Sequence, residues 1–200
     1  MRLFLALELD APLRASLTTV AAALRRRWPA RGSWVRPENL HLTLRFLGEV
    51  DRTRAAALGD ALAPALLALA PALSALAPAL SARAPFGFEV AGLGAFPNPA
   101  WAAVLWAGIQ PCPELLQIHA TIENILRDMG FPPEEKPFTP HLTLARIRER
   151  VKVPDGAAVL EALSGDVAGV VRTREVILLE SKLSPAGPTY SVVRRFPLSG

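Results

Sequence analysis

Leu40-His41-Leu42-Thr43-Leu44-Arg45-Phe46-Leu47 and Pro140-His141-Leu142-Thr143-Leu144-Ala145-Arg146 share a His-Leu-Thr-Leu tetrad, one hundred residues apart. Both stretches are short, apolar and β-compatible, and each reads as a strand. In a strand, residues i and i+2 point to the same side. His41 and Thr43 therefore share one face with Leu42 and Leu44 on the other, and His141, Thr143, Leu142 and Leu144 repeat the arrangement. The leucines face a core; imidazole and hydroxyl face out of it.

The flanking sequence repeats as well. Ahead of the first tetrad come a strand over Arg2–Leu9 and a helix capped by Asp10, with Leu13, Leu17, Val20 and Leu24 at helical spacing. Asp51 opens a further helix through Leu58 and Leu62. Ahead of the second tetrad, Trp101–Ile109 is an apolar strand. Pro113 begins a helix carrying Leu115, Ile118, Ile122 and Ile125, which Met129-Gly130 stops. A helix over 155–163, a strand over Glu175–Leu183 and a last strand near Tyr190–Arg195 follow. The pattern predicts an α+β fold: one bilobal domain over residues 1–200, with like segments at roughly 1–70 and 100–165 and closing strands over 175–196. Antiparallel sheets line a central cleft and helices lie outside.

Composition narrows the function classes. The 200 residues are 51% hydrophobic and 20% charged, with a mean hydropathy of +0.28, ample material for a core. A single cysteine, Cys112, excludes an internal disulfide and a multi-cysteine zinc site. The start of the chain lacks the long apolar block of a signal peptide, which makes the cytoplasm the expected compartment. The most apolar stretch, near 61–80, carries Pro64, Pro71 and Pro78. Each proline inside a helix costs about 3 kcal/mol, so no membrane span is expected there. A helix ending near Pro64 or Pro71 and an alanine-rich connector are expected instead. The net charge is +4, and lysine occurs only at 136, 152 and 182, so arginine supplies nearly all the basic groups. Arginines at 25–27 and at 146, 148 and 150 offer planar forks to phosphate.

An isolated histidine on a strand is usually a satisfied, half-buried side chain. Two at matching places in a repeated plan, taking two of the three histidines in the chain, point to chemistry. A neutral imidazole can take a proton while a charged one opposite gives one, near neutrality. In-line displacement at phosphorus needs that opposed geometry. Threonine hydroxyls bind non-bridging oxygens and a nearby arginine offsets the negative charge. Two histidines without positioned carboxylates or thiolates fall short of a catalytic zinc site, so no metal or other cofactor is expected. His119 has no partner of this kind and is expected to pack.

Together with these tetrads, Trp34-Val35-Arg36-Pro37-Glu38-Asn39-Leu40, Phe46-Leu47-Gly48, Phe138-Thr139-Pro140 and Leu178-Leu179-Glu180-Ser181-Lys182-Leu183-Ser184-Pro185 with Gly187 and Tyr190 resemble one family. It is the 2H phosphoesterase superfamily, and within it the RNA 2′,3′-cyclic phosphodiesterases, also called 2′-5′ RNA ligases. The resemblance runs from Arg2 to about Pro197. It implies the 2H phosphoesterase fold and metal-independent opening of a 2′,3′-cyclic phosphate at an RNA end to a 2′-phosphate. It makes His41 the proton donor and His141 the acceptor, has Thr43 and Thr143 hold the phosphate, and places Arg146 beside it. Arg45, at i+4 from His41 in a regular strand, is expected to reach the cleft too. Phe46, at i+5, and Phe4 are expected in the core, while Tyr190 is open to either place. The expected partner is RNA bearing a cyclic phosphate end, with no membrane and no obligate protein partner, and the chain acting as a monomer. The competing readings are 2′-5′ ligation as the reverse direction, a small non-RNA cyclic phosphate as substrate, and RNA-end binding without turnover.

Overall fold

A computed structural model describes residues 1–69, 71, 73, 86–149, 151–185 and 187–198. Its strands are β1 (Arg2–Glu8), β2 (Gly32–Trp34), β3 (His41–Glu49), β4 (Phe86–Phe96), β5 (Val104–Ile109), β6 (His141–Ile147), β7 (Ala168–Thr173), β8 (Glu175–Ser184) and β9 (Gly187–Pro197). Its α-helices are α1 (Ala11–Arg27), α2 (Arg52–Ala68), α3 (Pro113–Asp128) and α4 (Gly156–Ser164), with 3₁₀ turns at Pro37–Asn39 and Pro99–Trp101. The α+β class and its antiparallel sheet match the expectation. The strand expected from Trp101 begins at Val104 instead, because Asn98 caps a 3₁₀ turn over Pro99–Trp101.

The strands run in the order β7-β4-β5-β6-β3-β1-β8-β9 and every described pairing is antiparallel. The centre is thin. Strands β3 and β6 pair only at Leu42 and Leu142, because β2 takes the same edge of β6 at Ala145–Ile147. Beyond that pair β3 and β6 must part. Helices cover the leucine face: Leu42, Leu44, Leu142 and Leu144 are at most 1% exposed, in one core with Leu17, Leu58, Ile118 and Leu160. On the other face Phe4, Ala6, Ile177 and Leu179 form a small separate cluster against Tyr190.

Each tetrad ends in a β-bulge. Leu5 pairs with Arg45 but Ala6 with Thr43, skipping Leu44; Leu105 pairs with Ala145 but Trp106 with Thr143, skipping Leu144. A bulge inserts one unpaired residue and turns the side chains beyond it to the opposite faces. Leu44 and Arg45 are therefore both buried, as are Leu144 and Ala145, and Phe46 and Arg146 return to the open face. This overturns two expectations. Phe46 is 50% exposed rather than in the core, and Arg45, 7% exposed, points away from the cleft. Arg45 Nε lies 2.6 Å from Glu123 Oε1 and Nη1 lies 3.1 Å from Glu134 Oε1. Its guanidinium also donates to the carbonyls of Phe46 and Pro132. It is a fastener between β3, α3 and the loop before β6.

Helix α2 runs through Pro64 and ends at Ala68, between the two prolines expected to mark its end. The cost of about 3 kcal/mol is outweighed by Leu58, Leu62 and Leu66, each 0% exposed and each contributing roughly 1.5–3 kcal/mol of burial. The expected alanine-rich connector falls mostly on residues outside those described. Strands β2, β4 and β7 have no counterpart in the sequence reading. The longest of them, β4, is interrupted by Gly92 at φ +75° and by Gly94. A Cβ at Gly94 would sit 2.1 Å from the Trp106 ring, so glycine here lets the indole cross the strand.

Replacing Arg45 with methionine leaves Glu123 and Glu134 without their cation. The expected loss is about 2 kcal/mol, below a fully buried pair because the carboxylates are partly exposed. Urea unfolding measures it; an unchanged midpoint would show that solvent already satisfies both carboxylates.

Candidate active site

The antiparallel pair Leu42–Leu142 sets the geometry of the tetrads. One residue out on either side, His41 lies across from Thr143 and Thr43 across from His141. All four face away from the leucine core. Three of them, His41, Thr43 and Thr143, line a cavity of about 900 Å³ together with Phe46 and Arg146. His141 stands beside this lining, walled by Phe96 edge-on at 5.1 Å and Trp106 at 6.5 Å between ring centroids. Of the residues singled out in the sequence, the structure brings His41, His141, Thr43, Thr143 and Arg146 together and leaves Arg45 on the far face.

The two histidines are oriented alike. His41 Nδ1 lies 2.7 Å from the carbonyl of Asn39, and His141 Nδ1 lies 2.7 Å from that of Thr139. A carbonyl only accepts, so each Nδ1 carries the proton and each Nε2 is left for chemistry. His41 Nε2 is 3.0 Å from Thr43 Oγ1. Phe4 and Tyr190 enclose the His41 ring at 5.0 and 5.3 Å. Burial is the largest effect on it and pushes its pKa down to about 4; the Asn39 hydrogen bond opposes this, while Arg146, Arg14 and His141 add to it. His141 is lowered too, first by burial, against the Thr139 hydrogen bond and with help from Arg146. Tyr190 is raised by burial, with Arg146 and Arg2 opposing, so its phenol keeps its proton.

One cation recurs in all three environments. The Arg146 guanidinium acts on His41, His141 and Tyr190 alike, and it lines the same cavity as His41 and Tyr190. The lining holds Arg2, Arg36, Arg146 and Arg148 and no aspartate or glutamate. Such a cavity attracts anions, and its opposed imidazoles can pass protons on either side of one. Among the described residues no three His, Cys, Asp or Glu side chains converge as metal ligands would, and no described helix is long and apolar enough to cross a membrane. His119 stacks on Phe138 at 3.9 Å with the rings 5° apart, a packing role.

Sequence reasoning missed Phe46 and Arg2 on the lining. The signal for Phe46 was present: it stands at the same i+5 offset from His41 as Arg146 does from His141, so whatever turns one to the cavity turns the other. Arg2, one exposed arginine at the start of a strand, carried no signal.

Residues 15–183 match the family described as the 2′-5′ RNA ligase superfamily. A protein of Aeropyrum pernix named RNA 2′,3′-cyclic phosphodiesterase is 36% identical over 80% of this chain and 82% of its own. One of Thermus thermophilus with the same name is 35% identical over 100% and 91%. Among solved structures, a Thermus thermophilus protein superposes with a TM-score of 0.70 at 28% identity, covering 100% and 99% of the two chains. Escherichia coli LigT complexed with 3′-AMP superposes with a TM-score of 0.71 at 25% identity, covering 100% and 98%. With the paired tetrads, the sheet joined between them and a match over most of its length, the chain belongs to the 2′-5′ RNA ligase superfamily.

Proposed function

We propose that this protein is an RNA 2′,3′-cyclic phosphodiesterase, opening the cyclic phosphate at an RNA 3′ end to leave a 2′-phosphate and a free 3′-hydroxyl. The observation that carries the reading is the antiparallel pair of His-Leu-Thr-Leu tetrads facing one arginine-lined cavity. The names of the relatives support the same substrate.

In the proposed reaction, Thr43, Thr143 and Arg146 hold the non-bridging oxygens. Neutral His141 takes a proton from water at Nε2 as the water oxygen bonds to phosphorus. The phosphorus–O3′ bond opposite breaks, and protonated His41 gives its Nε2 proton to O3′. Both imidazoles regain their starting states by exchange with solvent. With a 5′-hydroxyl in place of water as the nucleophile, the same groups would form a 2′-5′ phosphodiester and release the same 3′-hydroxyl. Burial leaves His41 neutral in the empty cavity at neutral pH. The phosphate anion supplies the opposite charge that favours the imidazolium, so the substrate itself charges the donor.

RNA rather than a small cyclic phosphate is favoured by Arg2 and Arg148. Both line the cavity, and neither forms an ion pair among the described residues. One cyclic phosphate carries one negative charge and engages Arg146. Arg2 and Arg148 then suit the phosphates of preceding nucleotides.

Three outcomes are expected. In EDTA, the wild-type protein converts an RNA oligonucleotide ending in a 2′,3′-cyclic phosphate to the 2′-phosphate, while His41→Ala and His141→Ala are each slower by about 10²–10⁴; variants as fast as wild type would overturn the acid–base pair. The pH dependence of kcat/KM is bell-shaped with its maximum below 6.5, because the free enzyme must hold one proton on a pair whose members titrate at about 4 and below 6.5. A rate climbing steadily into the alkaline range would contradict it. Arg2→Gln with Arg148→Gln lowers kcat/KM for the oligonucleotide about tenfold and flattens its salt dependence, leaving a cyclic mononucleotide unaffected. Equal losses on both substrates would count against an extended RNA site.

A further inference from the structure

Asn39 is one of three buried polar or charged side chains among the described residues, at 9% exposure, with Arg45 and Thr173. Arg45 is fastened by Glu123 and Glu134, and Thr173 donates to a carbonyl two residues away. Asn39 reaches much farther. Its Nδ2 donates to the carbonyl of Pro188 at 2.9 Å, across 149 residues of sequence. Its own carbonyl accepts from His41 Nδ1 at 2.7 Å. A single residue therefore joins the hairpin of β8 and β9 to the imidazole.

That hairpin is a wall of the cavity. Pro188 begins a run that places Tyr190 edge-on to His41 at 5.3 Å and against Phe4 at 5.0 Å. From the other side, Arg14 on α1 donates to the carbonyl of Pro37 at 2.9 Å and holds the same 3₁₀ turn. Among the described residues the second tetrad has no such tie. Thr139 occupies the matching place and its carbonyl orients His141. Its side chain is exposed and makes only a local contact, 3.5 Å to the carbonyl of Pro137. The two imidazoles are thus oriented alike, but only His41 is coupled to a wall of the cavity.

We infer that Asn39 is a positioning residue: its side-chain amide pins the β8–β9 hairpin to the turn whose carbonyl orients His41, so that ring and wall are set together. This rests on the reading of His41 as proton donor. The pin serves that role in two ways. It holds the Nδ1–H tautomer, leaving Nε2 toward the phosphate, and it keeps Tyr190 and Phe4 closed over the ring. Loss of the amide frees the hairpin and lets water reach His41. Two opposed changes then follow: burial depresses the ring's pKa, and the Asn39 carbonyl raises it. Burial is the larger, so loosening moves the pKa up. The other charges facing the ring are Arg146 and His141 from β6 and Arg14 from α1, all lowering it, with the neutral phenol of Tyr190 from β9.

The test compares wild type with Asn39→Ala, Asn39→Thr and Asn39→Gln. Threonine copies the matching residue of the second tetrad and preserves volume should alanine loosen the fold; glutamine keeps the amide on a longer stem. With three histidines in the chain, ring NMR signals are readily assigned by their loss in His41→Ala. The Asn39→Ala and Asn39→Thr variants should shift the His41 titration upward from about 4 and move the acidic limb of kcat/KM with it. They should lower kcat about tenfold, the equivalent of one neutral hydrogen bond, with KM little changed, and Asn39→Gln should restore part of both. A His41 titration and a pH profile that overlay the wild type would overturn the inference, even if the melting temperature falls. Full turnover by His41→Ala would instead overturn the donor role of His41, whereas the ring titration still reads the pin itself.

Discussion

The arrangement of the cavity depends on one backbone junction, the antiparallel pairing of Leu42 with Leu142. Because side chains alternate along a strand, putting those two leucines opposite each other in the core also puts His41, Thr43, Thr143 and His141 together on the other face. A slip of one residue between the strands would turn one strand's imidazole into the apolar core and its leucines out of it. The register is held where such a slip would be most costly: Leu42 and Leu142 are 0% exposed and Leu44 and Leu144 at most 1%. The hydrophobic effect, acting on side chains that touch no substrate, sets the spacing of the groups that would. β2 then takes the remaining edge of β6, and the strands diverge into a cavity where a continuous sheet would have closed it.

The two tetrads are alike, but their surroundings are not, and the differences polarise the cavity. The same bulge follows each one, yet it delivers Phe46 on one side and Arg146 on the other. Aromatic rings gather around His41, with Phe4, Phe46 and Tyr190 within 5.0–5.7 Å of one another or of the imidazole. Phe96 and Trp106 flank His141 in turn, and Arg146 on β6 joins Arg2, Arg36 and Arg148 on the lining. A nucleotide is itself polarised, with a flat apolar base at one end and an anion at the other. In the proposed reaction, Phe46 on one side and Arg146 on the other would favour one orientation of it, as distinct donor and acceptor roles for two otherwise equivalent histidines require.

Much of this was legible in the sequence, and what escaped has a common cause. Short apolar, β-compatible runs and helical spacing located β1, β3, β6 and the cores of all four helices, and the i, i+2 rule placed imidazole and hydroxyl on one face. The bulges were invisible because they depend on the partner strand rather than on local propensity. Arg45 and Phe46 were assigned to the wrong faces by a rule that is correct for regular strands. Whether α2 would stop at Pro64 or nearer Pro71 stayed open because a proline's cost is local, whereas the three leucines that offset Pro64 are buried only in the folded core. Strand β4 went unseen because glycines at 92 and 94 lower strand propensity, and their purpose lies in a turn of the backbone and in the neighbouring Trp106. In each case tertiary context decided what sequence spacing alone could not.

Burial of His41 and its proposed use as an acid look opposed, since a ring that titrates at about 4 is rarely charged at neutral pH. The opposition disappears once the substrate is counted among the charges. An empty cavity holding Arg146, Arg2, Arg148 and two imidazolium ions would concentrate positive charge with no carboxylate to balance it; keeping the histidines neutral relieves that repulsion. When a phosphate anion enters, the same low-dielectric surroundings that penalised the lone cation strengthen its attraction to the anion. A depressed pKa would then be a property of the free protein alone, with the proton taken up from solvent as the ligand binds. A donor charged permanently would bind any anion equally well. In the proposed reaction, one charged by its substrate would give its proton only where a phosphate already lies beside Arg146 and His41.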